Sequence, residues 1–385
     1  MRVVPLACAL VLALVAGIWL GGHPESLPRP LRDALVESGP ATRAEVINTI
    51  EDHYYKPVSK QNLIDASLKG MVASLGDPYS RYFTPKEAKA FNEDLSGRFE
   101  GVGMAVHPTK EGLVITDVFK GAPAQKAGLR PGDLITAADG LSLAGVGVND
   151  ATDKIKGPPG TTVTLTYRRD GTLHKIRVKR AKITIPEVTS KLVTSAGRKL
   201  GVVHLASFST GVHAKVRQAV EALLKKGAKG IVLDLRGNPG GLLIEGVLVA
   251  SVFIDKGKIV TTRGRAVATR TRTAEGGAIP ANIPIAALVD QGTASASEIA
   301  TGALKDRGRA TVVGTRTFGK GVFQEVETLS NGGALDLTVG RYYLPNGEPL
   351  PKDGIQPQVR AVDNPKTGRD EALPVALHVL DQKLK

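Results

Sequence analysis

Regular alternation of apolar strands and amphipathic helices between Val202 and Val313 constrains the fold of this 385-residue chain more than any other sequence feature. The predicted strands are Val202–Ser207, Ile231–Leu235, Ile285–Val289 and Ala310–Val313, and the predicted helices are His213–Lys225, Leu242–Phe253 and Ser295–Lys305. Continuously apolar strands that alternate with helices predict a largely parallel sheet, with helices on its faces and right-handed crossovers.

Two segments rich in small residues directly follow predicted strands, where open α/β sheets bind their ligands. They are Arg236–Gly241 and Asp290–Glu298. The backbone amides of the first segment suit an oxyanion or an extended peptide equally well. A phosphate cradle is the alternative, but the GxxxxGK[ST] motif is absent from the sequence.

Ser295 falls at the point in the second segment where the strand becomes a helix, with few bulky neighbours to block a substrate. The free N–H groups of the first helical turn, that of Ala296 among them, can receive a developing oxyanion. The alternative is that Ser295 or Ser297 only caps the helix and that Glu298 completes the cap. A candidate base is needed to decide between these two interpretations.

Lys320, between Gly319 and Gly321, is the candidate base, since no histidine with an aspartate partner occupies a similarly exposed loop. A lysine can accept a proton only when neutral, which requires desolvation or a nearby positive charge to lower its pKa. Gln324, in a predicted strand, could orient the amine without restoring its charge. Taken alone, Lys320 could equally bind phosphate or be a solvated loop charge.

Two regions of different periodicity precede the alternating part of the chain. Residues Leu31 to Asn92 show helical periodicity with apolar faces that need a partner. From Phe99 to Lys179, short β runs and glycine-rich turns predict a compact β-rich module of roughly eighty residues. Its predicted elements are the strands Met104–Val106, Leu113–Val118, Leu134–Ala137, Val163–Tyr167 and Lys175–Val178, with one helix at Asn149–Lys156.

The amino-terminal segment is almost uninterruptedly apolar from Val3 to Leu20, just short of the roughly 20 residues that span a bilayer. It predicts export, either as a signal peptide or as a membrane anchor. The anchor is slightly favoured, because the cleavage signature at Val15-Ala16-Gly17 is weak and Trp19 suits a membrane interface. A buried helix of a cytosolic protein is disfavoured, since the segment has no polar face.

Charge and cysteine content exclude several classes of function. The chain has 51 basic and 37 acidic residues and a net charge of +14, but no basic run with interleaved aromatic residues, so we expect no nucleic-acid binding. The single cysteine, Cys8, excludes an intramolecular disulfide and a Cys-based zinc site. The seven histidines lack metal-binding spacings, and no cofactor is expected.

Ser295, Lys320 and Gln324 match in type and spacing the active-site pattern of the carboxyl-terminal processing peptidases, and on these residues the chain resembles that family. These are tail-specific serine proteases with a Ser-Lys dyad. The resemblance also includes Leu75–Tyr82, Asp234–Gly241, Thr293–Glu298, Gly319–Gln324, Arg341–Gly347 and Gly354–Pro357. It implies an α/β protease core with a crotonase- or ClpP-like layered sheet.

The β-rich module resembles the PDZ domain of these enzymes in two motifs, Gly121–Ala124 and Ala127–Asp133. Four further residues look like its carboxylate-binding loop: Gly101, Val102, Gly103 and Met104. Backbone amides of such a loop can capture a chain-terminal carboxylate, while the peptide adds a strand beside an apolar helix face that Ala151 and Ile155 could supply. The alternative is that Gly101 and Gly103 only relieve backbone strain at a strand start.

The resemblance implies the following domain organisation. The predicted parts are a signal peptide or anchor (1–22), a helical region (31–92), a PDZ domain (97–180), a Ser-Lys peptidase core (181–360) and a C-terminal segment (361–385).

The implied activity is that of an exported, periplasmic or otherwise extracytoplasmic serine endopeptidase that recognises free apolar C-termini of protein substrates. Ser295 would be the nucleophile and Lys320 the base and then the acid, with Gln324 orienting Lys320. The amides of Ala296 and of Gly240 or Gly241 would form the oxyanion hole. An inner-membrane anchor at residues 3–20, an adaptor protein and a homo-oligomer are all compatible with this interpretation.

Two other functions remain as alternatives. A non-catalytic PDZ adaptor or chaperone would bind tails without cutting them, but the intact set of Ser295, Lys320 and Gln324 argues against it. An α/β hydrolase of small esters is disfavoured because the GxSxG motif is missing.

Overall fold

The computed structural model describes residues 17, 19, 38–184, 187–363 and 369–385. The described residues divide into two units. The first contains those up to Thr84 and Val326–Leu337, and the second contains Pro85–Glu325 and Thr338–Lys385. Nearly all of the predicted anchor at residues 3–20 lies outside the described residues, and no described helix combines the length and apolar character needed to cross a membrane.

The predicted helical region contains three helices and one short strand among the described residues: α1 (Ser38–His53), α2 (Lys60–Ala73), β1 (Arg81–Phe83) and α3 (Pro85–Ser96). In the first unit, the Tyr82 hydroxyl of β1 donates to the Asp65 carboxylate of α2 at 3.0 Å. Helix α2 buries no residue, and Val46 and Leu63 line an apolar cavity of about 640 Å³ beside α1 and α2. The helices therefore keep apolar surface exposed, as their sequence pattern indicates.

The elements of the β-rich module, from residue 98 to residue 184, are β2 (Arg98–Gly101), β3 (Met104–Thr109), β4 (Gly112–Val118), α4 (Pro123–Lys126), β5 (Leu134–Ala138), β6 (Leu141–Ser142), α5 (Val148–Ile155), β7 (Thr162–Arg169), β8 (Thr172–Lys179) and β9 (Ala181–Thr184). Its main sheet is antiparallel with the order β3-β4-β5-β7-β8, and β6 is paired to β5. Leu113, Ile135 and Leu165 pack together in its core. Every predicted β run lies inside an observed strand, and the predicted helix coincides with α5 to within one residue.

The remaining elements belong to the alternating part of the chain. They are β10 (Val188–Ser195), β11 (Arg198–Leu205), α6 (Val212–Lys225), β12 (Ile231–Asp234), α7 (Leu243–Ser251), β13 (Lys258–Gly264), β14 (Arg270–Thr273), β15 (Ile285–Val289), α8 (Ala296–Asp306), β16 (Ala310–Gly314), β17 (Val322–Thr328), β18 (Ala334–Tyr343), β19 (Val359–Arg360) and α9 (Ala372–Lys383). The central sheet has the order β10-β11-β12-β15-β16-β19, antiparallel in its first pair and parallel in the others. The predicted α/β core with a largely parallel sheet is confirmed.

Both faces of the central sheet are covered, which explains why its inner strands β12 and β15 are almost wholly apolar. Ile231 and Leu233 of β12 pack on the face that carries α6, α7 and α8. Val232, between them in sequence, packs with Ala376 and Leu380 of α9 on the other face. Because consecutive side chains of a strand point to opposite faces, an apolar residue is needed at every position.

The sequence analysis did not predict a set of antiparallel strand pairs outside the central sheet, among them the pair of β13 and β14 in the second unit. In the second unit, Thr261 of β13 faces Tyr343 of β18. In the first unit, Arg81 of β1 faces Asp336 of β18. The alternation of Leu335, Leu337 and Val339 with polar residues or glycine is a strand signal in β18 that the sequence analysis did not use, whereas β14 (Arg-Thr-Arg-Thr) has no apolar residue and gives no such signal.

Candidate active site

Ser295 lies between the end of β15 and the first residue of α8, with φ +55° and ψ −116°. Residues other than glycine rarely adopt a positive φ, so the surrounding structure must hold Ser295 in this conformation. The Thr293 hydroxyl donates to the carbonyl of Leu235 at 2.8 Å and joins the serine loop to the end of β12. The parallel neighbours β12 and β15 therefore bring the two segments rich in small residues together, as their positions after the strands indicate.

Glu298 is fully buried and its carboxylate accepts four hydrogen bonds. Oε2 accepts from the backbone N–H groups of Ser295 and Lys320, both at 2.9 Å, so the two nitrogens are no more than twice that distance apart. Oε1 accepts from the hydroxyl of Thr317 at 2.6 Å and from the N–H of Gly319 at 2.8 Å. One carboxylate thus joins the backbone of the candidate nucleophile to that of the candidate base.

The pKa of Glu298 is set by two opposing effects. Burial raises it, and the hydrogen bonds from Thr317, Gly319, Ser295 and Lys320 lower it, with a net rise above the usual range. The sequence analysis assigned Glu298 only to a helix cap, and its bond to the N–H of Ser295 is one half of such a cap. Its bonds to residues 19 to 22 positions further on are long-range and depend on how the loop after β16 folds back.

Lys320 is half-buried between β16 and β17, in a glycine-flanked turn that other residues could not form. Gly319 has φ +94°, and a Cβ atom there would lie 2.1 Å from the carbonyl oxygen of Lys352. A Cβ at Gly321 would lie 2.6 Å from the carbonyl oxygen of Leu350. Gln324 follows on β17, where its amide nitrogen donates to the Thr338 hydroxyl at 3.0 Å.

The glycine-rich loop after β12 packs directly against Ser295. A Cβ atom on Gly240 would lie 2.9 Å from both the Ser295 Cβ and the Ala296 nitrogen. The N–H of Gly240 is already bonded, because it donates to the Asn238 side-chain oxygen at 2.9 Å. The N–H of Ala296, first in α8, has no acceptor within its own helix, and among the described residues the N–H of Gly241 has none either.

Arg236 anchors the start of this loop to the C-terminal segment. Its guanidinium binds the carboxylates of Asp234 at 2.7 Å, Asp363 at 2.7 Å and Asp370 at 2.9 Å. Burial opposes ionisation of Asp234, but the His204 ring, 3.8 Å away, and the hydrogen bonds from Arg236 outweigh it and lower its pKa to about 2. The sequence analysis quoted Asp234 and Arg236 within a motif but assigned them no contact.

A histidine–carboxylate pair that the sequence analysis did not identify lies at the starts of α6 and α7. The ring nitrogen Nδ1 of His213 is 2.8 Å from the Glu245 carboxylate, which also accepts from the backbone N–H groups of Gly211 and His213. The carboxylate thereby caps the first turn of α6. The pair therefore has a structural role whether or not it takes part in chemistry.

The candidate peptide-binding loop and α5 together line a cavity of about 220 Å³. Its lining residues are Glu93, Phe99, Val102, Gly103, Met104, Val106, Thr152, Ile155 and Lys156. Ile155 supplies part of the helix face as predicted, whereas Ala151 is buried in the core of the β-rich module. Gly103 has φ +79°, and a Cβ there would lie 2.4 Å from that of Ala122, so both conformation and space require glycine.

Comparisons with known proteins agree with this geometry. Residues 199–361 match peptidase family S41, residues 101–179 match a PDZ domain, and residues 42–87 match the activating protease CtpB N-terminal domain. A probable CtpA-like serine protease of Staphylococcus aureus (strain bovine RF122 / ET3-1) is 38% identical over 323 residues, which cover 83% of this chain and 64% of that protein. One of Staphylococcus saprophyticus is 38% identical over 315 residues, covering 81% and 63%. The chain thus spans less than two thirds of the length of these relatives.

Among solved structures, the photosystem II D1 C-terminal processing protease is 31% identical, with a TM-score of 0.52 and coverage of 84% of this chain and 93% of that chain. The resemblance drawn from the sequence motifs is confirmed. This chain belongs to peptidase family S41, alongside the D1 C-terminal processing protease and the CtpA-like serine proteases, and its β-rich module is a PDZ domain.

Proposed function

We propose that this chain is a serine endopeptidase that uses Ser295 and Lys320 as a catalytic dyad and hydrolyses protein substrates selected by their C-terminal tails. The observation that carries the proposal is the buried Glu298 carboxylate, which binds the backbone N–H groups of both residues. A helix cap requires only the first of these bonds. The second supports the proposal, because it holds the backbone of Lys320 near that of Ser295 at the carboxyl ends of parallel strands, where α/β sheets bind substrates.

In the proposed mechanism, the neutral Lys320 amine accepts the Ser295 hydroxyl proton while the serine oxygen attacks the scissile carbonyl carbon. The negative charge that forms on the carbonyl oxygen is stabilised by the N–H groups of Ala296 and Gly241. Lys320 then returns the proton to the leaving amine. Water, activated in the same way, releases the acyl group. Gln324, held by Thr338, orients the amine without adding charge.

We assign tail recognition to the cavity beside α5. Val102, Gly103 and Met104 offer backbone N–H groups to a terminal carboxylate, and an extended peptide can pair with β3. The side chains of Val102, Met104 and Ile155 line the same cavity, which therefore suits an apolar C-terminal residue. Lys156 also lines the cavity, where its amine is 3.2 Å from the Glu93 carboxylate and so adds no net charge.

The cellular setting follows from the sequence. The apolar segment at residues 3–20 supports export of the chain and a periplasmic or extracytoplasmic site of action, with the segment as its anchor in the inner membrane. Unfolded or partly folded exported proteins with free apolar C-termini would then be its substrates. An adaptor protein and a homo-oligomer are compatible with the proposal.

The test is to incubate the purified protein and its Ser295→Ala variant with an unfolded protein that ends in an apolar residue. We expect fragments from the wild type only, and binding of the tail by both proteins. Tail binding without cleavage by the wild type would favour the alternative of a non-catalytic adaptor or chaperone. Equal cleavage by both would exclude Ser295 as the nucleophile.

A further inference from the structure

Asn238 is a fully buried polar residue that connects three segments of the chain around Ser295. Its side-chain nitrogen donates to the carbonyl of Leu205 on β11 at 2.8 Å, and its side-chain oxygen accepts from the N–H of Gly240 at 2.9 Å. Its own carbonyl accepts from the N–H of Ala294 at 3.0 Å and from the hydroxyl of Ser297 at 3.0 Å. Asn238 thus links the glycine-rich loop after β12 to the Asp290–Glu298 segment, which carries Ser295.

Only one orientation of the Asn238 amide fits these partners. Leu205 presents a carbonyl oxygen, which needs a donor, and Gly240 presents an N–H group, which needs an acceptor. A flipped amide would place two acceptors together on one side and two donors together on the other. Because Asn238 is fully buried, the groups left unpaired would remain unsatisfied, so the contacts fix the amide and the peptide that it holds.

The bond to Asn238 also decides which glycine amide can serve an oxyanion. The Gly240 N–H cannot donate to Asn238 and to a substrate oxygen at the same time. Phe208 and Gly241 form a parallel bridge whose bonds join the Phe208 N–H to the Gly240 carbonyl and the Leu242 N–H to the Phe208 carbonyl. That bridge does not use the N–H of Gly241, which therefore remains available, one residue after the Gly240 that packs against Ser295.

We propose that Asn238 is a positioning residue for the oxyanion hole, an inference that rests on the proposed function. Its amide holds Gly240, at φ +98°, against Ser295, and thereby sets the position of the next N–H group, that of Gly241. An ordinary Asx turn stabilises only its own loop. Here the bonds to Leu205, Ala294 and Ser297 fix the loop relative to the nucleophile, so a shift of Asn238 would move a catalytic donor.

The test compares steady-state kinetics of Asn238→Ala with those of the wild-type protein on one peptide substrate. Loss of one oxyanion donor lowers kcat by roughly 10²–10³-fold, so we expect a fall of about 100-fold with KM within about twofold. Asn346→Ala is the control, because its side-chain oxygen accepts a similar bond from the N–H of Glu348 at 2.9 Å in an exposed loop. That variant should keep wild-type kinetics.

Asn238→Asp provides a readout that a merely structural role would not give. Its carboxylate can accept from Gly240 but faces the carbonyl of Leu205 with an acceptor, and only the protonated acid can donate to Leu205. The ratio of its kcat to that of the wild type should therefore rise as pH falls. The wild type measured at each pH removes the contribution of Lys320 from that ratio.

Several results would overturn the proposal. A folded Asn238→Ala variant with kcat within about threefold of wild type would do so, as would a change confined to KM. If Asn238→Ala does not fold, the kcat ratio of Asn238→Asp to the wild type decides, and a ratio that does not change with pH counts against the proposal. Failure of both variants to fold would show that Asn238 serves the fold alone. The proposed function fails separately, through an active Ser295→Ala variant.

Discussion

Replacing Glu298 with glutamine tests whether one buried carboxylate holds the nucleophile and the base together. Glutamine keeps the shape of the side chain but turns one acceptor oxygen into an NH₂ group. Whichever way the amide points, two of the four donors that now face oxygen would face NH₂ instead. The change should therefore weaken the fold and the catalytic geometry at once.

The expected loss can be worked out from these contacts. Leaving a buried donor without a partner costs about 1–3 kcal/mol, so two such donors cost about 2–6 kcal/mol. Part of this is offset, since the variant no longer buries an ionisable carboxyl group. We expect the free energy of unfolding to fall by about 2–4 kcal/mol in urea titrations. Misplacement of a reacting group by about 1 Å costs roughly 10²-fold, so kcat should fall by about two orders of magnitude.

Asp133→Asn is the matched control, because Asp133 is also buried and hydrogen-bonded but lies in the PDZ domain. Its carboxylate accepts from the Arg130 N–H at 2.8 Å and from the Arg169 guanidinium at 2.6 and 2.7 Å. We expect this variant to lose stability while keeping its kcat on a short peptide without a recognised tail. Equal loss of kcat in both variants would assign the effect to general destabilisation, and an unchanged Glu298→Gln variant would refute the reasoning.

The pH dependence of the same comparison has a definite sign. The pKa of Glu298 is raised in the folded state, so its contribution to stability is fully present below its unfolded pKa, close to 4.5, and is lost as pH rises through the folded value. Glutamine does not titrate. The stability advantage of the wild type over Glu298→Gln should therefore shrink as pH rises from about 4.5, and an advantage that grows with pH would contradict the assigned direction.

Three further outcomes are expected. Ser295→Ala should lose several orders of magnitude in kcat and keep its fold. Ser297→Ala removes only a bond to the Asn238 carbonyl and should lose much less, and equal losses in the two variants would count against Ser295 as the nucleophile. Lys320→Arg should be nearly inactive, because a guanidinium does not lose its proton, and the kcat of the wild type should fall at low pH as the Lys320 amine is protonated. If His213→Ala abolished this pH dependence of kcat, another base would be identified. Amidation of a substrate's C-terminus should lower kcat/KM, and Gly103→Val should remove the preference for the free acid; a wild-type ratio near one would exclude tail recognition.

The sequence alone determined the parts of the protein that depend on local pattern. An apolar strand such as Ile285–Val289 indicates a sheet covered on both faces, because every residue must be apolar when alternate side chains meet different helices. The positions of Ser295 and Lys320 after strand ends follow from the same pattern. Glycines such as Gly103 and Gly319 mark places where the chain needs a positive φ, which is again a property of the single residue.

Only the tertiary structure decided which groups these residues meet. Glu298 finds partners up to 22 positions away, and Arg236 finds Asp370 134 positions away. The choice of Gly241 over Gly240 as the available amide depends on one bond from Asn238. Hydrophobic periodicity in the sequence shows which face of a helix or strand is apolar. The hydrogen-bond partner of a buried polar group depends instead on how distant segments of the chain pack, and no local sequence pattern encodes that partner.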